Sequence, residues 1–203
     1  MIRIALAALC LLAACASPYG NRNLSLVGGV RAERAGNSSD LWTVRAAGNG
    51  FTSAERVRDF LELKAAEVAL KEGGDRYEVY RYADESRYPR QYAVVFEQGP
   101  FTWTETQTRG EFRAAGTTLI RVLRPGDRAV DPRRARSAAR TWERLAPALI
   151  GAGTPSAAQL RAEARAEVDA NLDLLVRCNE ASKRGSEETL TCLSRDFART
   201  DLY

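Results

Sequence analysis

Four cysteines, no histidine and a surplus of arginine set the chemistry open to this chain. Without histidine, the commonest general base and the commonest nitrogen ligand for a metal are both missing, so a histidine-dependent mechanism is excluded. Cys178 and Cys192 lack the C-x-x-C spacing of a redox pair, and two thiols alone make a poor metal site. No pair of carboxylates stands in a recognisable motif, and there is neither a glycine-rich phosphate loop nor a nucleophile elbow. No residue is therefore assigned a catalytic role, and neither metal nor cofactor is expected.

Groups that could bind remain. Lys64 and Glu67, three positions apart on a predicted helix, form a candidate polar site where the helix meets a sheet, with Asn49 in the preceding turn. The plainer reading has Lys64 laying its methylenes on the core beside its partner Glu67, while Asn49 serves the turn. Between Arg109 and Arg144 there are ten arginines against Glu111, Asp127, Asp131 and Glu143. Within that stretch Arg133, Arg136, Arg140 and Arg144 follow helical spacing, a candidate anion-binding stripe whose guanidiniums suit lipid phosphates or cell-wall carboxylates.

The elements that must position these groups can be read from punctuation and periodicity. A strand is predicted from Leu41 to Ala46, a turn at Gly48-Asn49-Gly50, and a helix from the cap Thr52, with Glu55 as its box partner, to about Glu72 before Gly73-Gly74. Further strands are predicted at Tyr77 to Tyr82, Gln91 to Phe96, Phe101 to Thr108 and Thr117 to Leu123. Asp131-Pro132 opens a helix to about Ala146, Thr154-Pro155 a longer one ending near Arg184-Gly185, and Glu187 to Arg199 a last one. The expectation is an α+β domain over 41–150, a small antiparallel or mixed β-sheet packed by helices, followed by a C-terminal helical hairpin over 151–203.

The first residues read differently. Arg3 precedes an apolar run from Ile4 to Leu12, too short to span a bilayer but matched to the hydrophobic part of an export signal over 1–14. The tetrad Leu12-Ala13-Ala14-Cys15 resembles the lipobox of bacterial lipoproteins, which implies that the Cys15 thiol carries a diacylglycerol and becomes the mature N-terminus. Alternatives are ordinary cleavage after Ala16, or lipidation at Cys10, where Leu9 occupies the position that wants a small residue. Two or more acyl chains would make a lasting anchor. The absence of aspartate after Cys15 resembles outer-membrane sorting, and residues 15–40, rich in Gly, Asn and Ser, read as a flexible tether with a short strand near Leu24 to Val27. In an oxidising compartment Cys178 and Cys192, on either side of Gly185, should pair across the hairpin, closing a loop of about 15 residues worth roughly 3 kcal/mol.

The stretches "GGVRAE" and "WTVRAAGNGFTSAERVRDFLELKAAEVAL" and the strand that follows resemble a small family of uncharacterised proteobacterial lipoproteins over residues 28–98, with a weaker likeness through "GTTLIRVL" and "ARTWERLAPALI" to about residue 150. Val30 stands where an aromatic is expected and Lys64 where arginine is usual. The resemblance implies an envelope lipoprotein and a shared fold, and it implies no activity. The expectation is thus a lipid-anchored, periplasm-facing outer-membrane protein with a noncatalytic binding or assembly role. Its partners would be membrane lipid through acylated Cys15 and another envelope protein or anionic envelope polymer, not nucleic acid. The alternative is a cell-wall hydrolase using paired carboxylates.

Overall fold

The computed structural model describes Tyr19 and residues 29–88, 90–98, 101–109 and 112–183, with 89–98, 101–109 and 181–182 described by backbone only where they are described at all. Five strands form one antiparallel sheet in the order β1 (Gly29–Arg34), β2 (Leu41–Ala47), β6 (Ala115–Leu123), β3 (Arg76–Asp84), β7 (Ala135–Ser137). Helix α1 (Ala54–Lys71) links β2 to β3, and β6 slots between them, so β2 and β3 run parallel without touching. The α+β class and the antiparallel sheet are as the residue pattern predicts.

Alternation explains which face α1 covers. Trp42, Val44 and Ala46 on β2 and Gly116, Thr118, Ile120 and Val122 on β6 are buried while the residues between them are half-exposed or exposed, and Val57, Phe60, Leu61, Ala65 and Val68 of α1 are buried with them. Gly116 has a packing reason: a methyl there would stand 3.1 Å from Leu61 Cδ1. Gly73, at φ +76°, closes the helix as a residue free of Cβ strain.

β4 (Arg90–Gln98) and β5 (Phe101–Arg109) pair with each other and prolong the β3–β6 ribbon through a bridge between Arg87 and Arg113. Nine residues per strand make this arm roughly 30 Å long. Helix α2 (Ala138–Leu149) packs on α1 through Trp142, Leu145 and Ala146, and α3 (Ala157–Lys183) follows, fixed by the Trp142 indole donating to Pro155 O at 2.8 Å.

Four boundaries differ from expectation. Ser53, not Thr52, caps α1, its hydroxyl accepting from Arg56 N, because Thr52 turns inward to donate to Asn49 Oδ1 at 2.9 Å. Asp131-Pro132 opens a turn instead of a helix: the buried Glu78 carboxylate accepts from Val130 N and Asp131 N, residues 135–137 then pair with β3, and the helix begins only after the cap Ser137. The span 15–40 is not all tether, since β1 lies in the sheet and Tyr19 is buried. The C-terminal region begins as one long helix, most of it exposed, with the apolar stripe Val168, Leu172, Leu175 and Val176 open to solvent. The expected strand at Leu24 to Val27, the last helix, Cys10, Cys15 and Cys192 lie outside the described residues.

Candidate functional site

The two flanks of α1 carry different arrangements. On the flank facing β1, Glu67 is 8% exposed and receives Lys64 Nζ at 3.1 Å and Lys71 Nζ at 2.9 Å, from one turn before and one after. The third donor is remote in sequence: Tyr19 OH donates to Glu67 Oε2 at 2.6 Å, and the tyrosine ring rests 5.9 Å from that of Phe60. Burial pushes the Glu67 carboxyl up, but the two ammoniums and the hydroxyl outweigh it and hold the group below the ordinary carboxylate range. Burial first, and then the Glu67 charge, push the Tyr19 hydroxyl well above its usual value. The predicted Lys64–Glu67 pair therefore exists, and it is closed by Tyr19 and Lys71 instead of offering a free polar site. Asn49 stays with its turn, accepting from Phe51 N and Thr52 Oγ1.

On the other flank, Glu62 accepts from Arg144 Nη2 at 3.0 Å and from Arg136 Nη1 in a short ion pair. The arginines predicted as one helical stripe do not form one. Arg133 is in the turn after Pro132, Arg136 is on β7, and only Arg140 and Arg144 belong to α2. The reason is the late start of that helix, which spends Arg133 to Ser137 on a turn and an edge strand. Arg136 and Arg144 are committed to Glu62, which ties α1 to β7 and α2.

Beside this clamp opens a cleft of about 430 Å³ between α1 and the β3 side of the sheet. Leu61, Ala65, Val79 and Ile120 give it an apolar floor, Tyr77, Tyr82 and Thr118 add aromatic and hydroxyl groups, and Arg58, Arg136 and Glu62 supply its charges. A largely apolar recess of this size with a few polar groups is the usual form of a binding site. Tyr77 is fully buried with its hydroxyl 3.4 Å from Thr141 Oγ1, and burial raises its pKa. Arg58 lies over the Tyr82 ring at 5.9 Å, and the Tyr82 hydroxyl first, then the charges of Asp84 and Glu55, hold its guanidinium pKa above the usual value.

Among the described residues the cleft's lining includes one carboxylate, Glu62. Among the described residues no group of three or more Cys, Asp or Glu side chains could hold a metal, and no helix is long and apolar enough to cross a membrane. Cys178 is buried and is not a free thiol; Cys192, its predicted partner, lies outside the described residues.

Sequence reasoning missed Tyr19, Glu62 and the cleft residues Arg58, Tyr77 and Tyr82. Lys71 was legible, because Glu67 followed by lysine four residues on is a favourable helical pair. Nothing local couples Glu62 to arginines 74 and 82 positions away. Set against family models, curated proteins and solved structures, the chain matches none.

Proposed function

We propose that this chain is an envelope lipoprotein, held in the outer membrane by acylated Cys15, whose periplasmic α+β domain has a noncatalytic binding or assembly role. The observation that carries the reading is the tetrad Leu12-Ala13-Ala14-Cys15 behind Arg3 and a short apolar run. The resemblance of residues 28–98 to proteobacterial lipoproteins agrees with it. The apolar cleft beside α1 supports a binding role, and the sequence supplies no histidine or nucleophile motif for chemistry.

Tyr19 changes what such an anchor would do. It stands four residues after Cys15, a span of at most about 14 Å. With Tyr19 seated between Phe60 and Glu67, the leash is short and holds the Glu67 flank of α1 near the lipid surface, leaving the opposite flank and its cleft turned away. The C-terminal crosslink belongs to the same reading: among the described residues Cys178 is the one buried residue of α3 beyond Leu160, and Cys192 is its proposed partner.

The test is the mass of the N-terminal tryptic peptide, residues 15–22, from membranes of a native host. A diacylated or triacylated Cys15 is expected, with release of the protein from membranes on Cys15→Ala. A peptide beginning at Ser17 without lipid overturns the anchor. For the crosslink, Cys192→Ser should abolish the shift in gel mobility that reductant produces in the parent chain.

A further inference from the structure

We infer that the cleft beside α1 takes a single uncharged aliphatic chain, the hydrocarbon part of a lipid or of a free fatty molecule. This deepens the binding half of the reading above and rests on it, but it does not require the lipid anchor.

The polar side chains of the lining are already committed. Thr118 Oγ1 donates to Arg81 O at 2.9 Å, Tyr77 OH donates to Thr141 Oγ1 at 3.4 Å, and Arg136 closes on Glu62, which Arg144 also holds. Arg58 is engaged by the Tyr82 hydroxyl, with the charges of Asp84 and Glu55 nearby. The cations at the rim are thus balanced, and a charged ligand finds no excess of the opposite sign. An occupant with hydrogen-bonding groups of its own would lose their water and meet no free side-chain partner. A peptide is disfavoured on that ground, since nearly every residue brings an N–H and a C=O.

What the cleft does offer is hydrocarbon and aromatic surface: Leu61, Ala65, Val79 and Ile120, with the rings of Tyr77 and Tyr82. Depth selects a slender occupant. The residues of the floor, Leu61, Ala65, Tyr77, Thr118 and Ile120, are 0 to 5% exposed, whereas Tyr82 at the mouth is 43% exposed. Only a narrow group passes beneath such a rim, and an unbranched chain is the narrowest apolar ligand. The helical wall runs from Arg58 to Ala65, about 10 Å, the length of roughly eight to ten extended carbons. A volume of about 430 Å³ holds a chain of that length. A single small ring would leave much of the lining without a contact.

The full-length Cys15→Ala chain, free of detergent, should enhance the fluorescence of N-phenyl-1-naphthylamine, an uncharged apolar probe, and straight 1-alkanols should displace it. Displacement should strengthen roughly threefold per added methylene from hexanol upward and level off near about ten carbons. Decanoate and decylammonium should compete no better than decanol, within about threefold. Val79→Phe and Ala65→Leu, which fill the cleft from opposite walls, should each weaken decanol binding by about tenfold or more. Because filling the cleft can also disturb packing, the length at which affinity levels off with the cleft unaltered is the deciding measurement. Affinity still climbing at dodecanol, a preference of about tenfold for decanoate, or decanol binding unchanged in both filled variants overturns the assignment. Dioctanoylphosphatidylcholine below its micellar concentration separates the sources: if it displaces the probe the chain belongs to a membrane lipid, and if alkanols alone do so it belongs to a single-chain molecule. A parent chain without lipid at Cys15 fails only the anchor, and an acylated parent whose Cys15→Ala form binds no alkanol fails only the cleft.

Discussion

Glu62 and Glu67 stand five positions apart on α1, and each is held between two cations, yet the two sites do different physical work. Glu67 is enclosed, its lysines come from its own helix, and a tyrosine from near the chain's start seals it. Glu62 is half-buried, and both its arginines come from other elements and remain largely in solvent. A dehydrated carboxylate is held strongly because no water replaces a lost partner, whereas an exposed pair is screened and contributes little. The contrast explains why one flank is a fixed seat for Tyr19 while the other borders an open cleft.

The largest break in this comparison should come from Glu67→Ala, which leaves Lys64, Lys71 and Tyr19 gathered around nothing. About 3–5 kcal/mol of unfolding free energy should be lost in urea titrations at neutral pH. Tyr19→Phe keeps the ring on Phe60 and deletes one hydrogen bond to a charged acceptor. Its cost should be about 1.5–3 kcal/mol, and an unchanged midpoint would show that Tyr19 does not seal the site.

Acid should separate the flanks in another way. The folded Glu67 lies below its unfolded value, so its stabilisation is complete above the unfolded carboxylate pKa, near 4.3, and is lost as pH falls through the folded value. The stability gap between the parent chain and Glu67→Gln should therefore shrink between pH 5 and pH 3; a gap that widens contradicts the assignment. The smallest effect belongs to Glu62→Gln. With the side chains of Arg136 and Arg144 46% and 61% exposed, the loss should stay below about 1 kcal/mol and diminish further in added salt.

Much of the fold was legible because its signals are local. Alternation located β2, β3, β4, β5 and β6 within two or three residues, and Gly73 marked the end of α1. The start of α2 was misread because a favourable Asp-Pro opening lost to a tertiary claim: the buried Glu78 takes the amides of Val130 and Asp131, and β3 takes the next three residues as an edge strand. Lys64 and Glu67 could be paired from their spacing. Their closure by Tyr19 could not, since the residues between 19 and 67 carry no period that relates the two.

From the residues alone came the absence of histidine chemistry, the lipobox-like tetrad, the α+β class and the Lys64–Glu67 helix pair, all of which depend on composition or on spacing within a few residues. Tertiary structure alone decided that Glu62 faces Arg136 and Arg144, that Tyr19 returns to the core, and that an apolar cleft opens between α1 and the sheet. Those contacts join segments tens of residues apart, and which segments meet is set by the packing of whole elements, a property that no short stretch of sequence contains.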